Sequence, residues 1–410
     1  MSSAPPLPLI DPDEIRPSDA DERSSCMTVP AHTRGLDLRI DKDRFAPMSR
    51  AAVVEPASKE RIAWIDSLKG LAIVLVVLSH TAIVEVEDEV LYLFHMPLFF
   101  WLSGMLYRPE KYPRLGGLIR KRSWSLLIPY LWYSLISYVI WLLIARHFGR
   151  DAGDHINPWL PVVGTFYGVA DEPWLTHNTP LWFLPCLFVV EMFYWVIRRE
   201  LKTPLPIACG LLLCSAAGYW LSLHEWVRIP WGADVALSAV MFYGAGNLSR
   251  YAVQAHAESP RHRRIWTSSG MLVLAAAAMW WGFGFVNMSE NVLGPGYLQF
   301  YAAAFGGILA SIVVAQSVPA NRFVRWLGRN TIVILALQIP CYGLVKAAQV
   351  YGLGIGVEAT QDSLLWGLLH TIAIVVLLVP VIYAIDRWAP FLKGQRRMET
   401  LRPAIGGVGA

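Results

Sequence analysis

Charge is the scarcest thing in this sequence. Asp, Glu, Lys and Arg make up 16% of its 410 residues, where a soluble globular domain carries about 25%. The deficit argues against a water-soluble fold, because the apolar residues, 55% of the chain, are grouped in long blocks. Cysteine is scarce too. Of Cys26, Cys186, Cys209, Cys214 and Cys341, four lie in apolar runs and none forms a CxxC pair. That pattern gives no metal site and no disulfide framework, and reads as inert buried thiols. Sustained period-2 alternation is missing, which argues against a β-barrel. A basic n-region followed by an apolar h-region is missing from the first residues, so no secretory signal peptide is read there. No internal repeat of the kind that marks many transporters is present.

What is present is length of apolar run. From Arg61 onward most of the chain divides into blocks of about 18–23 residues, enough to cross a hydrocarbon core about 30 Å thick. Inside such a core each backbone N–H and C=O must bond within its own segment, so the blocks read as helices. The predicted spans are about 62–82, 90–107, 124–146, 180–198, 205–222, 233–250, 265–286, 297–317, 330–351 and 364–385. The fold class is therefore all-α: a polytopic transmembrane bundle of about ten helices. Many of the 18 Trp residues, Trp64, Trp124, Trp182, Trp231, Trp266 and Trp388 among them, fall near block ends, where aromatic belts sit at the membrane surface. Residues 1–60 are rich in Pro, Ser, Asp and Arg and are expected to be a disordered cytoplasmic tail. Residues 61–386 form the membrane domain, and 387–410 a basic cytoplasmic tail.

The basic residues fall into alternate loops. Arg108, Lys111, Arg114, Arg120, Lys121 and Arg122 follow the second span. Arg198, Arg199 and Lys202 follow the fourth, and Arg250, Arg261, Arg263 and Arg264 the sixth. Arg322, Arg325 and Arg329 follow the eighth, and Arg387, Lys393, Arg396 and Arg397 the tenth. The other loops hold only Arg146, Arg150 and Arg228, and the first of them, Glu85 to Glu89, is acidic. The positive-inside rule puts both termini in the cytoplasm, and an even span count agrees. The net charge of +4 comes from these loops and gives no nucleic-acid signal. The long outer connection from His147 to about Thr179, with Trp159, Phe166, Tyr167, Trp174 and His177, suits either a sugar-stacking lid or a segment resting on lipid headgroups.

The first span carries the chemistry. Ionisable residues in or beside a span default to functional candidates. Lys69 and His80 are eleven positions apart, which returns them to nearly one helix face about 16 Å apart along the axis; Asp66 shares that face. Two readings stand together: an acid, a base and an imidazole along one functional stripe, or a snorkelling Asp66–Lys69 pair with a plain interface histidine at position 80. A short loop makes the first two spans an antiparallel hairpin. It brings His95, at the start of the second span, to the depth of His80, and His95 suits either catalysis or structural hydrogen bonding. Ser103 and Gly104 permit close helix contact. Glu191, inside the fourth span, is expected to face the bundle interior. Asn178 and Trp182 are placed to bind sugar at the outer mouth or to anchor the interface. Asp234 suits acceptor contact or an N-terminal helix charge.

These residues fall into an ordered set of motifs. Lys69 to His80 resembles the Arg/Lys-x10-His signature of the membrane acyltransferase-3 family. The run Phe94-His95-Met96-Pro97-Leu98-Phe99-Phe100-Trp101-Leu102-Ser103-Gly104 is similar to the FHMPLFFFxSG block of its fucose O-acetyltransferase-like branch. Lys121-Arg122 with Ile128-Pro129-Tyr130, then Pro180-Leu181-Trp182-Phe183-Leu184-Pro185, then Leu327-Gly328-Arg329-Asn330-Thr331 resemble later family motifs in the expected order. The resemblance covers about residues 61–386. It implies a donor, usually acetyl-CoA, on the cytoplasmic side and a carbohydrate or glycolipid hydroxyl as acceptor. No cofactor is held permanently, and the expected site is the inner membrane of the cell. It implies His80 as general base, Lys69 as cationic donor-side anchor oriented by Asp66, and Arg122 as a second donor contact. His95, Asn178, Trp182, Glu191 and Gln338 are candidate acceptor contacts. The family often has histidine where this chain has Gln338. The chief competing class is a multi-pass transporter or flippase for polysaccharide, which also uses buried charge; a non-catalytic membrane receptor or scaffold is a third.

Overall fold

The computed structural model describes residues 63–81, 85–148, 156–224, 228–294, 296–319 and 321–395. The expected tail over 1–60 and the stretch from 396 onward lie outside the described residues. Among the described residues there are thirteen α-helices and no β-strand. They are α1 (Ala63–Ser79), α2 (Glu85–Leu106), α3 (Leu115–Arg122), α4 (Ile128–Leu143), α5 (Trp159–Tyr167), α6 (Phe183–Glu200) and α7 (Pro204–Ser222). They continue with α8 (Ala233–Ala257), α9 (Arg261–Trp281), α10 (Tyr297–Ser317), α11 (Arg322–Arg329), α12 (Thr331–Ala347) and α13 (Leu364–Trp388).

Each of the ten expected spans overlaps one of these helices. Among the described residues, seven helical stretches are long and apolar enough to cross a membrane. The three others are set apart by length or composition. Helix α1 has only 17 residues, α8 carries Asn247 and Arg250, and α9 opens on Arg261, Arg263 and Arg264. The acidic stretch from Glu85, expected as a loop, belongs to α2; glutamate is a good helix former. Helices α3 and α4 are one continuous rod from Leu115 to His147, joined by a π-turn at Ser123–Leu127. Pro129 lies just past that turn and has no N–H for the ladder, so the wider turn takes up the mismatch.

Packing explains two of the motifs. Helix α1 crosses α11 at Gly70 and Gly328, where a Cβ on Gly70 would strike the Val324 carbonyl and one on Gly328 the Asp66 carbonyl. Only glycine lets the two backbones lie so close. Gly104 does permit a close approach, but the helix it meets is α8, at Tyr243. Around these crossings Leu68, Ile73, Leu98, Phe100, Phe242 and Phe300 form the core. Large apolar side chains also cover the outside: Leu213 on α7, Val273 and Leu274 on α9, Leu365, Ile372 and Val376 on α13 are all exposed. A water-soluble chain rarely shows so continuous an apolar exterior, whereas lipid tails accept it. Of the described cysteines, all free, Cys186 and Cys341 are buried but Cys209 is exposed, on this same outward face of α7.

Candidate active site

Helix α1 stops at Ser79 because hydroxyls take over its last carbonyls. Ser79 Oγ donates to Val76 O at 3.0 Å and Thr81 Oγ1 to Leu78 O at 2.7 Å. The next side chain, His80, has Nδ1 2.8 Å from the same Val76 carbonyl. On α2, His95 repeats the arrangement, with Nδ1 2.6 Å from Leu91 O. A carbonyl can only accept, so each Nδ1 carries the proton and donates. Each Nε2 is left with its lone pair, the atom that takes up a proton. Tyr92 lies between the rings, 6.3 Å from His80 and edge-on to His95 at 4.9 Å.

His80, Tyr92 and His95 line one cavity of about 280 Å³. Trp182 and Thr179, at the start of α6, form another wall, and Leu335 and Ile339 of α12 a third. Asn287 to Glu290, the turn between α9 and α10, closes the remaining side. The cavity thus pairs two proton-accepting imidazoles with an indole, hydroxyls and a carboxylate. Trp159 and Phe166, offered above as a stacking lid, are exposed and are not part of its lining. From the long connection it is Thr176 and Thr179 that reach it.

A second cavity, about 470 Å³, lies at the opposite end of α1, where Ala63 and Asp66 meet α11 and Tyr383 of α13. Helix α1 therefore lines a cavity at each end. The fourteen residue steps from Asp66 to His80 span about 21 Å of helix. Lys69, one turn beyond Asp66, is half-buried.

The structure distributes the remaining candidates differently. Arg122 and Glu191 are brought together, Nε to Oε2 at 2.5 Å, with Glu191 1% exposed. Tyr112 lies under the guanidinium at 5.8 Å, and Tyr107 packs on Tyr112, Tyr194 and Tyr243. Neither charge lines either cavity. Asn178 ties three elements together, its amide donating to Ser137 Oγ and Ala336 O, each at 2.7 Å. Gln338 is 1% exposed, one residue before Ile339 of the two-histidine cavity, and neither of its side-chain polar atoms has a hydrogen-bond partner. His177, 4% exposed, also has both ring nitrogens unpartnered, and burial pushes its pKa down to about 4. Neither side chain is in the lining of the two-histidine cavity; each is the sequence neighbour of a residue that is, Ile339 and Thr176.

One residue was not singled out by sequence. Arg228 donates to Asp234 Oδ2 at 2.6 Å, Asp171 Oδ1 at 2.5 Å and Ser289 O at 3.1 Å, and its own carbonyl accepts from Tyr167 Oη. It clamps the turn bearing Asn287 and Glu290 to two other segments. Asp234 lies in the first turn of α8, as expected for an N-terminal helix charge, makes no capping hydrogen bond, and pairs with Arg228. The one legible hint was that Arg228 is a rare cation in a loop otherwise poor in them.

A helical bundle with an apolar exterior and several helices long enough to cross a bilayer defines the class as a multi-pass membrane protein, here with a two-histidine cavity at the end of α1. The family model described as an acyltransferase domain matches residues 62–387, and the chain belongs to that acyltransferase-3 family. It is 26% identical over 252 residues to "Inner membrane protein YcfT" of Escherichia coli (strain K12), a match covering 54% of this chain and 65% of that protein. The chain thus spans less than two thirds of that relative's length. No solved structure matches it.

Proposed function

We propose that this protein is an O-acyltransferase of the inner membrane that moves an acyl group, acetyl from acetyl-CoA, onto a carbohydrate or glycolipid hydroxyl. The observation that carries the reading is the shared cavity of His80 and His95, each with Nδ1 committed to a backbone carbonyl and Nε2 left basic. In this reading His80 Nε2 takes the proton as the acceptor oxygen attacks the thioester carbonyl. The C–O bond forms, the C–S bond breaks, and the proton passes to the departing thiolate. His95, Trp182, Gln338 and Glu290 would hold the acceptor, with the indole face against the sugar. Lys69, oriented by Asp66, would serve the donor side. Arg122 is satisfied by Glu191, and we assign that pair to holding α3 against α6; Asn178 holds the wall from behind.

Ten spans with both termini in the cytoplasm complete the proposal, on the alternation of basic loops. The run from Phe94 to Gly104 favours the fucose O-acetyltransferase-like branch. Transfer requires thioester, hydroxyl and base within a few ångströms. An extended coenzyme lying along α1, or a covalent acyl-enzyme relay, would bring them together. The test is incorporation of radiolabelled acetyl from acetyl-CoA by membranes containing the protein, with mass spectrometry of surface glycans. A covalent gain of one acyl unit supports the reading. Accumulation of label without covalent product would favour the transporter.

A further inference from the structure

The cavity at the first end of α1 has a chemical character that its position alone does not explain. Helix α11 supplies Arg322, Arg325 and Arg329, spaced i, i+3 and i+7, all to its lining. That spacing keeps them on one helix face. One carboxylate, Asp66, shares the lining with the three guanidinium groups. None of the three arginines forms an ion pair among the described residues. Arg325 Nε is buried with no hydrogen-bond partner, while Arg329 Nε donates to the Arg325 carbonyl at 3.3 Å. Beside them runs a column of rings. Trp326 is stacked on Phe323 at 5.9 Å and 17°, and on Tyr383 at 6.0 Å and 28°, and all three line the cavity.

Forked guanidinium groups recognise phosphate oxygens two at a time, and parallel aromatic faces accept a planar base. Arginines alone would suit any phosphate, including a phospholipid headgroup. The ring column speaks for a nucleobase. We infer that the α11 cavity, through Arg322, Arg325, Arg329 and Trp326, seats the adenosine-phosphate portion of the acyl donor. The inference rests on the acyltransferase reading above and gives it a donor site at the end of α1 remote from His80. A volume of about 470 Å³ is in the range of small-molecule sites. With the nucleotide anchored there, the thioester arm runs the length of α1 toward the two-histidine cavity. Gly70 and Gly328 fix this seat to the helix it serves, because they set the α1–α11 crossing.

The test is isothermal titration of the purified full-length protein in phosphatidylcholine nanodiscs with coenzyme A, adenosine 3′,5′-bisphosphate and pantetheine. The wild type is compared with Arg325→Gln, Trp326→Leu and the exposed pair Arg322→Gln/Arg329→Gln. Coenzyme A and the bisphosphate should bind the wild type, and each variant should weaken both by about tenfold or more. Any pantetheine affinity should be common to all. In transfer assays KM for acetyl-CoA should rise while kcat holds. If the wild type binds coenzyme A and transfers acetyl but the variants bind it equally well, the cavity is not the donor seat and the acyltransferase reading stands. If the variants shed co-purified phosphatidylglycerol while keeping their affinity for coenzyme A, the cavity is a lipid seat and the inference is overturned. If the wild type neither binds coenzyme A nor transfers acetyl, both fall. Should Trp326→Leu misfold, the exposed arginine pair carries the test.

Discussion

His80 and His177 are both histidines at the same end of the bundle, and they call for different experiments. His80 has one ring nitrogen held by a carbonyl and lines a cavity, so its replacement should remove chemistry and not structure. His80→Gln should lower kcat for acyl transfer by on the order of 10²–10⁴ with little change in thermal unfolding; activity near that of wild type would remove it from the base role. His177 has neither nitrogen partnered, and burial favours its neutral form, lowering the pKa from 6.5 to about 4. The unfolded chain therefore binds this proton first on acidification. The stability tied to neutral His177 is present in full above pH 6.5 and is lost as pH falls toward 4. Melting curves between those values should fall more steeply for wild type than for His177→Gln; parallel curves would show that the imidazole is already solvated. Much of this was legible in sequence, because a short loop between two spans must bring His80 and His95 to one depth. The isolation of His177 was not, because it depends on walls from distant segments.

At the scale of elements, the α1–α11 crossing and the Arg228 clamp decide how the two cavities are walled, and the π-turn rod packs outside them. The ion pair of Arg122 and Glu191 ties the rod to α6. Glu191→Ala leaves a largely buried cation unpaired and should destabilise the protein by about 3–5 kcal/mol. The apolar double replacement Arg122→Met/Glu191→Leu should recover most of that in denaturant titrations, and equal losses in single and double variants would contradict the assignment. Arg228→Ala frees the turn of Asn287 and Glu290. Hydrogen exchange there should speed up and KM for the acceptor should rise, with KM for acetyl-CoA unchanged; unaltered exchange would show that the turn holds itself. The long helices were readable from apolar run length, since each expected span overlaps one. Helix α11 was not, because eight residues carrying three arginines read as a basic loop. Only its packing of Gly328 on α1 shows why that loop is helical. The Arg228 clamp was hidden as well, since its partners Asp171, Asp234 and Ser289 sit in three separate segments, two connections and the first turn of α8.

At the scale of the molecule, the arrangement amounts to two cavities sharing one helix, the arginine-rich one at its start and the imidazole-bearing one at its end. On the proposed topology, the alternation of basic loops would give this axis a direction across the bilayer. Donor and acceptor would then approach from opposite faces and meet along α1, and a soluble enzyme's single cleft would not serve. The most direct check is a sided reconstitution. Proteoliposomes carry the protein in one selected orientation, with radiolabelled acetyl-CoA on the face of α11 and the carbohydrate acceptor on the face of His80. Wild type should deposit covalent acetyl on an acceptor that never shares a compartment with the coenzyme, and His80→Gln should not. Transfer only when both substrates are on one face, or equal transfer by both proteins, would contradict the account.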